Sequence, residues 1–492
     1  MWTVFFALLS LLLSLWTDPA GAAPDARSAI IVRDQVALRA APADSARLQA
    51  VLWQGEVVEV RGERKDHFQV YDYRRERGGY VHASHVRTVS LTPDEAPELL
   101  AIVRFVRETP GLEALGIGYT AAYIQAAPAE VLRGEPGIEA LDALGIFADR
   151  LARRASSAGA RSKAAEAVLA AHLDVAARYG IRFVSHERNG RVQLCYEGDA
   201  FRRVLAMRST PEQRARAVLS LTREECVDPG LGPLERHALG EGSAELLDRV
   251  DASTLPGWLS NRVLMRRAGA WSSLAYQRAR AGGDAEAAAA RALAELSGVN
   301  KAELADGDLA AYNDAAMRVS ASRWAAAPAA AAGASKRARI MVTPGEPGES
   351  CLSLVDTKGK ELARRCTYGV VWAGSATLNR ESNALAVAVQ PLESWRELWV
   401  FRKERGAWTV RVLPPAATQP GIGYAEFAGW VPGGRQVLVA REARGEGKYQ
   451  RRFEVVLLDT LAVARQAREP GDLGAFRRWQ DPSWKRLTVA VR

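Results

Sequence analysis

Val36-Ala37-Leu38-Arg39, Val57-Val58-Glu59-Val60, His67-Phe68-Gln69-Val70 and Gly79-Tyr80-Val81 are the runs that decide how the first part of this chain folds. In each, apolar side chains recur at every second position, the period that puts them on one face of a strand. Ala41-Pro42-Ala43-Asp44-Ser45 reads as a loop, and Arg47 to Leu52 leads into the turn Trp53-Gln54-Gly55-Glu56. Short β-runs separated by glycine turns at this spacing predict a small closed sheet over residues 28–90.

Leu38-Arg39, Pro42, Leu52, Gly55, Val58, Val60, Phe68, Val70 and Gly79-Tyr80-Val81 resemble the bacterial SH3-like (SH3b) pattern. That pattern runs Leu-Arg, a proline loop, a glycine turn before paired valines, an aromatic, then Gly-Trp-Val. Tyr80 stands where tryptophan is common, and Tyr71-Asp72-Tyr73-Arg74-Arg75-Glu76-Arg77 reads as a lengthened basic hairpin loop. The resemblance implies a barrel that binds cell-wall peptides or protein partners without catalysing anything. The candidate binding residues are Tyr71, Tyr73, Arg74, Arg75, Arg77 and Tyr80. Their rings supply apolar area, and guanidinium groups grip carboxylates, such as those of peptidoglycan stems, in two-pronged fashion.

Upstream, Val4 to Trp16 is almost wholly apolar and no charge precedes Asp18. The run is shorter than the roughly 20 residues a spanning helix needs. Pro19 and the small residues Ala20 and Ala22 follow, so residues 1–22 read as a secretory signal cleaved after Ala22. An uncleaved anchor is the alternative, since Met1-Trp2-Thr3 carries no basic residue.

Downstream, residues 92–324 are rich in Ala, Leu, Arg and Glu and read as mainly helical. Thr92-Pro93-Asp94-Glu95 opens a helix, and Ile181–Ser185 and Arg191–Tyr196 form a β-hairpin about Asn189-Gly190. An alanine-rich linker with Pro328 and Gly333 covers residues 325–338. Residues 339–492 return to alternating Val, Leu, Trp and Phe. Trp430-Val431-Pro432-Gly433-Gly434-Arg435 resembles the Trp-Ser-Pro-Asp-Gly repeat of TolB-type β-propellers, in which Trp372, Trp430 and Trp479 would open successive blades. Leu487–Val491 would then close the ring on the strand near Ile340. About three blades are countable, so a β-sandwich stays open beside a propeller. The predicted fold class is multidomain: a small all-β SH3-like barrel, a mainly α-helical domain, then an all-β domain, propeller-like or sandwich.

Sixty-six basic residues are offset by 57 acidic ones, a mixed balance of +9 that argues against nucleic acid as a partner. Four cysteines, Cys195, Cys226, Cys351 and Cys366, suggest the local pairs Cys195–Cys226 and Cys351–Cys366 in an oxidising compartment, with buried free thiols as the alternative. No Gly-x-Ser-x-Gly, His-Glu-x-x-His or phosphate loop is present. His82 and His85, three apart on a strand, fall on opposite faces, so no metal or other cofactor is expected, and His67 and His186 read as exposed strand ends. Gly116-Ile117-Gly118-Tyr119 and Gly421-Ile422-Gly423-Tyr424 read as tight turns, Glu426 as the cap of a blade turn, and Asp149, Arg150, Arg153 and Arg154 as a solvated helix face. These features predict a periplasmic or secreted, non-catalytic scaffold or adaptor whose partners are peptidoglycan or envelope proteins. An envelope enzyme using carboxylates such as Glu224 and Glu225 of the helical segment, and a structural assembly subunit, are the competing readings.

Overall fold

The computed structural model describes residues 27–157, 162–188, 190–327, 338–417, 421–445 and 448–485. The expected leader of residues 1–22, most of the expected linker of 325–338 and the expected strand Leu487–Val491 lie outside them. The chain divides into two compact units, Met1–Arg208 and Ser209–Arg492. The division falls inside the helical stretch, so each unit holds both helices and sheet. Among the described residues no helix is long and apolar enough to cross a membrane.

The first unit begins with strands β1 (Arg27–Ile31), β2 (Val36–Arg39), β3 (Leu48–Leu52), β4 (Val57–Arg64), β5 (His67–Asp72), β6 (Arg77–His82) and β7 (Val86–Val89). They form one sheet in the order β3-β2-β6-β5-β4-β1-β7. Period-two alternation works in β1 on both faces. Ala29 and Ile31 enter a core with Val36, Leu38, Leu52, Val58, Val70 and Val81, while Ile30 packs with Val89 against the helices. Those helices are α1 (Ala96–Arg107), α2 (Glu113–Ala126), α3 (Ala129–Leu132), α4 (Glu135–Ser156) and α5 (Lys163–Arg178), followed by the hairpin β8 (Phe183–Arg188) and β9 (Arg191–Tyr196) and by α6 (Asp199–Ala206). Leu99, Val103, Ile117, Phe147 and Leu151 fill the layer between them.

Gly116-Ile117-Gly118-Tyr119 is not a tight turn; it lies within α2. A Cβ on Gly118 would come within 2.8 Å of the Gly55 carbonyl oxygen. Gly55 itself has φ +86°, and its Cβ would stand 2.3 Å from the Ala114 carbonyl oxygen. The β3–β4 turn and α2 therefore meet backbone to backbone, a contact that only glycine permits. Two hydrogen bonds add to it: Tyr179 Oη donates to Gly55 O at 2.8 Å, and His172 Nε2 meets Asp34 Oδ1 at 2.8 Å.

The second unit opens with α7 (Pro211–Leu221), started by a capping box of Thr210 and Gln213, and continues through α8 (Pro233–Asp248), α9 (Gly257–Arg280), α10 (Glu286–Ser297) and α11 (Leu309–Ser322). Three antiparallel meanders follow: β10 (Ala338–Pro344), β11 (Ser350–Asp356) and β12 (Glu361–Thr367); then β13 (Val370–Leu378), β14 (Ala384–Leu392), β15 (Trp395–Glu404) and β16 (Ala407–Leu413); then β17 (Ile422–Val431), β18 (Gln436–Gly445), β19 (Lys448–Leu457) and β20 (Val463–Ala467). The last two join in one sheet through a short parallel pairing of Trp395 with Gly423 and Arg396 with Tyr424. Gly421-Ile422-Gly423-Tyr424 leads straight into β17 rather than forming a turn. Trp479, expected to open a blade, belongs with Phe476 to the short helix α12 (Gly474–Trp479). Phe476 there makes an aromatic cluster with Phe453 and Trp484.

Cys351 and Cys366, directly opposite on β11 and β12, form a disulfide. Cys195 and Cys226 are also disulfide-bonded, so no free thiol is left. Glu426 caps no turn: it sits mid-strand in β17, buried between Arg396 and Arg323. Arg396 also donates to Ser320 O at 2.7 Å, so one buried carboxylate and two guanidinium groups pin the end of α11 to the sheet.

Candidate functional site

The segment expected to be a long basic loop is a tight turn. Strand β5 runs to Asp72, Tyr73 to Glu76 make the turn, with Glu76 at φ 48°, and β6 starts at Arg77. Tyr71 and Tyr73 meet edge to face at 5.0 Å, and the Arg61 guanidinium lies 3.9 Å over the Tyr71 ring. Tyr73 stays 67% exposed. Tyr80 is half-buried on β6 opposite Arg39 of β2.

The three arginines of this turn bind the chain's own oxygens. Arg75 reaches both oxygens of Glu56, at 3.0 and 3.1 Å, and Asp72 at 2.5 Å. Burial works against its charge, but Glu56 and Asp72 outweigh that and raise its pKa further. Arg178 of α5 takes the same Glu56 at 2.7 Å and Asp174 at 2.7 Å. Arg74 closes the circuit on Asp174 at 2.6 and 2.8 Å. Its hydrogen bonds, with those of Arg178, hold the Asp174 carboxyl down to about 2. Three arginines and three carboxylates thus form a series of ion pairs between sheet and helix, closed into a ring by the Arg74 backbone N–H donating to Asp72 Oδ1 at 3.0 Å.

Arg75 and Arg77 do a second thing. Strand β3 is an edge of the sheet. Arg75 Nη2 donates to Val51 O at 3.3 Å and Arg77 Nη1 to Gln49 O at 2.9 Å, capping carbonyls along that edge.

An open groove lies on the outer face of β2 and β3. Gln35, Ala37, Arg39, Leu48, Val51 and Trp53 line about 350 Å³. Leu48 is 52% exposed, and Arg39 is steadied by Nη1 donating to Ala46 O at 2.9 Å. Arg39 and Leu52 entered the sequence reading only as marks of the fold. The overlooked signal was Leu48, Val51 and Trp53 in one stretch, beside Ala37 and Arg39 on the neighbouring strand.

His67 is not an exposed strand end; it is 3% exposed. His186 is half-buried in the middle of β8. Nor do His82 and His85 diverge. His82 ends β6, and Ala83–His85 is a 3₁₀ turn that brings the two rings to 5.3 Å. The face of Asp149 to Arg154 is also not purely solvated, because Arg154 pairs with Glu113, which is wholly buried. In the second unit Glu224 pairs with Arg318, and Glu225 with Arg223 at 2.9 Å. Burial alone would raise Glu225, yet Arg223 and Arg266 bring it down to about 2. Both carboxylates are ion-paired, and Glu225, held so low, is a poor proton acceptor near neutral pH. Glu349 Oε2 lies 3.8 Å from Cys351 Sγ, but the disulfide removes both thiolates as metal donors.

No family model, curated protein or solved structure matches the chain.

Proposed function

We infer that this is a non-catalytic extracytoplasmic binding protein, an adaptor, whose first seven strands make an SH3-like barrel that takes an extended peptide bearing a carboxylate. The groove of Leu48, Val51, Trp53 and Arg39 carries this reading: apolar wall, aromatic floor and one cation at the rim. The basic turn, whose arginines are bound internally, serves as the clasp of the barrel, with exposed Tyr73 its remaining contact point. The disulfides fit an oxidising compartment. In the same reading the three meanders of the second unit are propeller-like blades that offer a further surface. Cell-wall stem peptides and the C-terminal tails of envelope proteins share the required chemistry.

Fluorescence polarisation of both peptide types with the full chain tests it. Trp53→Ala and Arg39→Ala should each weaken the preferred peptide at least tenfold, and esterifying the peptide carboxylate should mimic Arg39→Ala. Binding that ignores all three changes refutes the groove.

A further inference from the structure

The groove on β2 and β3 is a ladder of cross-strand pairs. Ala37 stands opposite Val51, and Arg39 opposite Leu48. Val36 pairs with Leu52, so Gln35 and Trp53 are the next pair beyond them. All six of these side chains line the groove, while Leu38 and Leu52 between them turn into the core. The pairing skips Gln49: Leu38 faces Ala50, but Arg39 faces Leu48. This bulge sets an apolar side chain beside Arg39, where regular pairing would set an amide.

Arg39 carries an unmatched charge. Its Nη1 donates to Ala46 O at 2.9 Å, and among the described residues no carboxylate pairs with it. The outer edge of β3 is closed to a ligand, because Arg75 and Arg77 occupy the carbonyls of Val51 and Gln49. A bound chain therefore lies on the face of the ladder instead of adding a strand to its edge. Along that face the pairs recur every two residues, about 7 Å apart, which is the repeat of any extended peptide. With an α-carboxylate on Arg39, the next-to-last residue meets Ala37 and Val51, and the residue two before it meets Trp53, about 12 Å from the carboxylate. Ala37 has the smallest of the six side chains, so the middle step has room for a branched one.

We propose that the groove takes the free C-terminal tail of a protein partner, running parallel to β2, with its α-carboxylate on Arg39, a small branched side chain over Ala37 and Val51, and an aromatic ring on Trp53. This rests on the reading of the groove as a peptide site and narrows it to one of the two peptide types. Cell-wall stems also offer carboxylates, but their side chains are short or charged, and none has a ring to set on Trp53. The indole and the Leu48 side chain supply apolar area that only larger side chains can cover.

Fluorescence polarisation of labelled hexapeptides with the full chain is the test. Ser-Ser-Phe-Ser-Val-Ser with a free C-terminus should bind at least tenfold more tightly than Ser-Phe-Ser-Ser-Val-Ser, whose ring is one place out of step, and at least tenfold more tightly than its own C-terminal amide. Trp53→Ala should abolish the preference for ring position and keep the preference for the free acid, and Arg39→Ala should do the reverse. Ala37→Leu, which fills the middle step, should weaken the in-step peptide at least tenfold. Equal binding of the in-step and out-of-step peptides, or tighter binding of a cell-wall stem peptide, would overturn the register and the partner class while the groove stood as a peptide site. Binding of neither tails nor stem peptides would overturn the groove along with them.

Discussion

Gly55 shows how much can hang on one missing side chain. Its φ of +86° is left-handed, and a Cβ there would collide with the Ala114 carbonyl. Gly55→Ala should thus cost both strain and a backbone shift, about 2–4 kcal/mol together. Urea denaturation should show this as a lower midpoint with an unchanged slope. Gly406, also at positive φ but with nothing within 4 Å of its Cβ, should cost only the conformational part, about 1 kcal/mol. Glu442 supplies a residue-scale prediction of another kind. Burial pushes this carboxyl up to about 8 from 4.5. Between those values the folded chain holds a proton that the unfolded chain has lost, so this contribution to stability is complete below about pH 4.5 and declines as pH rises toward 8. Glu442→Gln should remove that decline and gain on the order of 3 kcal/mol over the parent above pH 8. Denaturation midpoints of the two chains at about pH 5 and about pH 9 provide the check, and parallel losses in both would count against it.

At the scale of elements, the β5–β6 turn is a clasp made of charge. The Glu56 side chain is 1% exposed and shared by Arg75 and Arg178. Arg75→Ala strips the two-pronged partner from a buried carboxylate and uncaps Val51, which should cost about 2–4 kcal/mol. Arg77 has only an exposed carbonyl to cap, and Arg77→Ala should cost less than about 1 kcal/mol. Arg75→Lys should recover under half of the loss, since a single ammonium cannot span both oxygens of Glu56 and also reach Val51. Chemical denaturation of the three variants checks the order; equal effects of Arg75→Ala and Arg77→Ala would remove the buried-carboxylate argument. This clasp also marks what the sequence could and could not say. Strands β2, β4, β5 and β6 were legible because one face of each is buried and the alternation survives, whereas β3, with only Leu52 buried, shows no such alternation. Strands β1 and β7 were not, because Ile30 and Val89 face helices on the side where a lone sheet would be polar. Gly116 and Gly118 looked like turn residues because glycine disfavours helices, and only their neighbours in the fold explain them: the Phe147 ring of α4 against Gly116 and the Gly55 backbone against Gly118. Arg74, Arg75 and Arg77 were read as ligands for carboxylates from outside, and spacing along a chain does not reveal that Asp174, Glu56 and the Gln49 carbonyl of the chain itself would meet them.

At the scale of the molecule, the question is whether the first seven strands are a module on a string or half of a larger body. The contacts within the first unit favour the second answer. Gly55 touches α2 backbone to backbone, Tyr179 and His172 of the α5 region bond to Gly55 and Asp34, and the six-member charge ring ties α5 to the β5–β6 turn. Ile30 and Val89 of the sheet belong to the same apolar layer as Leu99, Phe147 and Leu151 of the helices. Surfaces shared in this way open together, because exposing one side exposes the other. Native-state hydrogen exchange on the full chain should therefore give β2, β6, α2 and α4 a common opening free energy. Arg75→Ala should lower all four by the same amount, although Arg75 touches neither α2 nor α4. A sheet that opens while α4 keeps its protection would show an independent barrel instead. It would also make removal of residues 28–90 a clean way to ask what the groove binds; if the four elements open as one, that deletion unfolds the helices too, and only point changes such as Trp53→Ala can separate binding from folding.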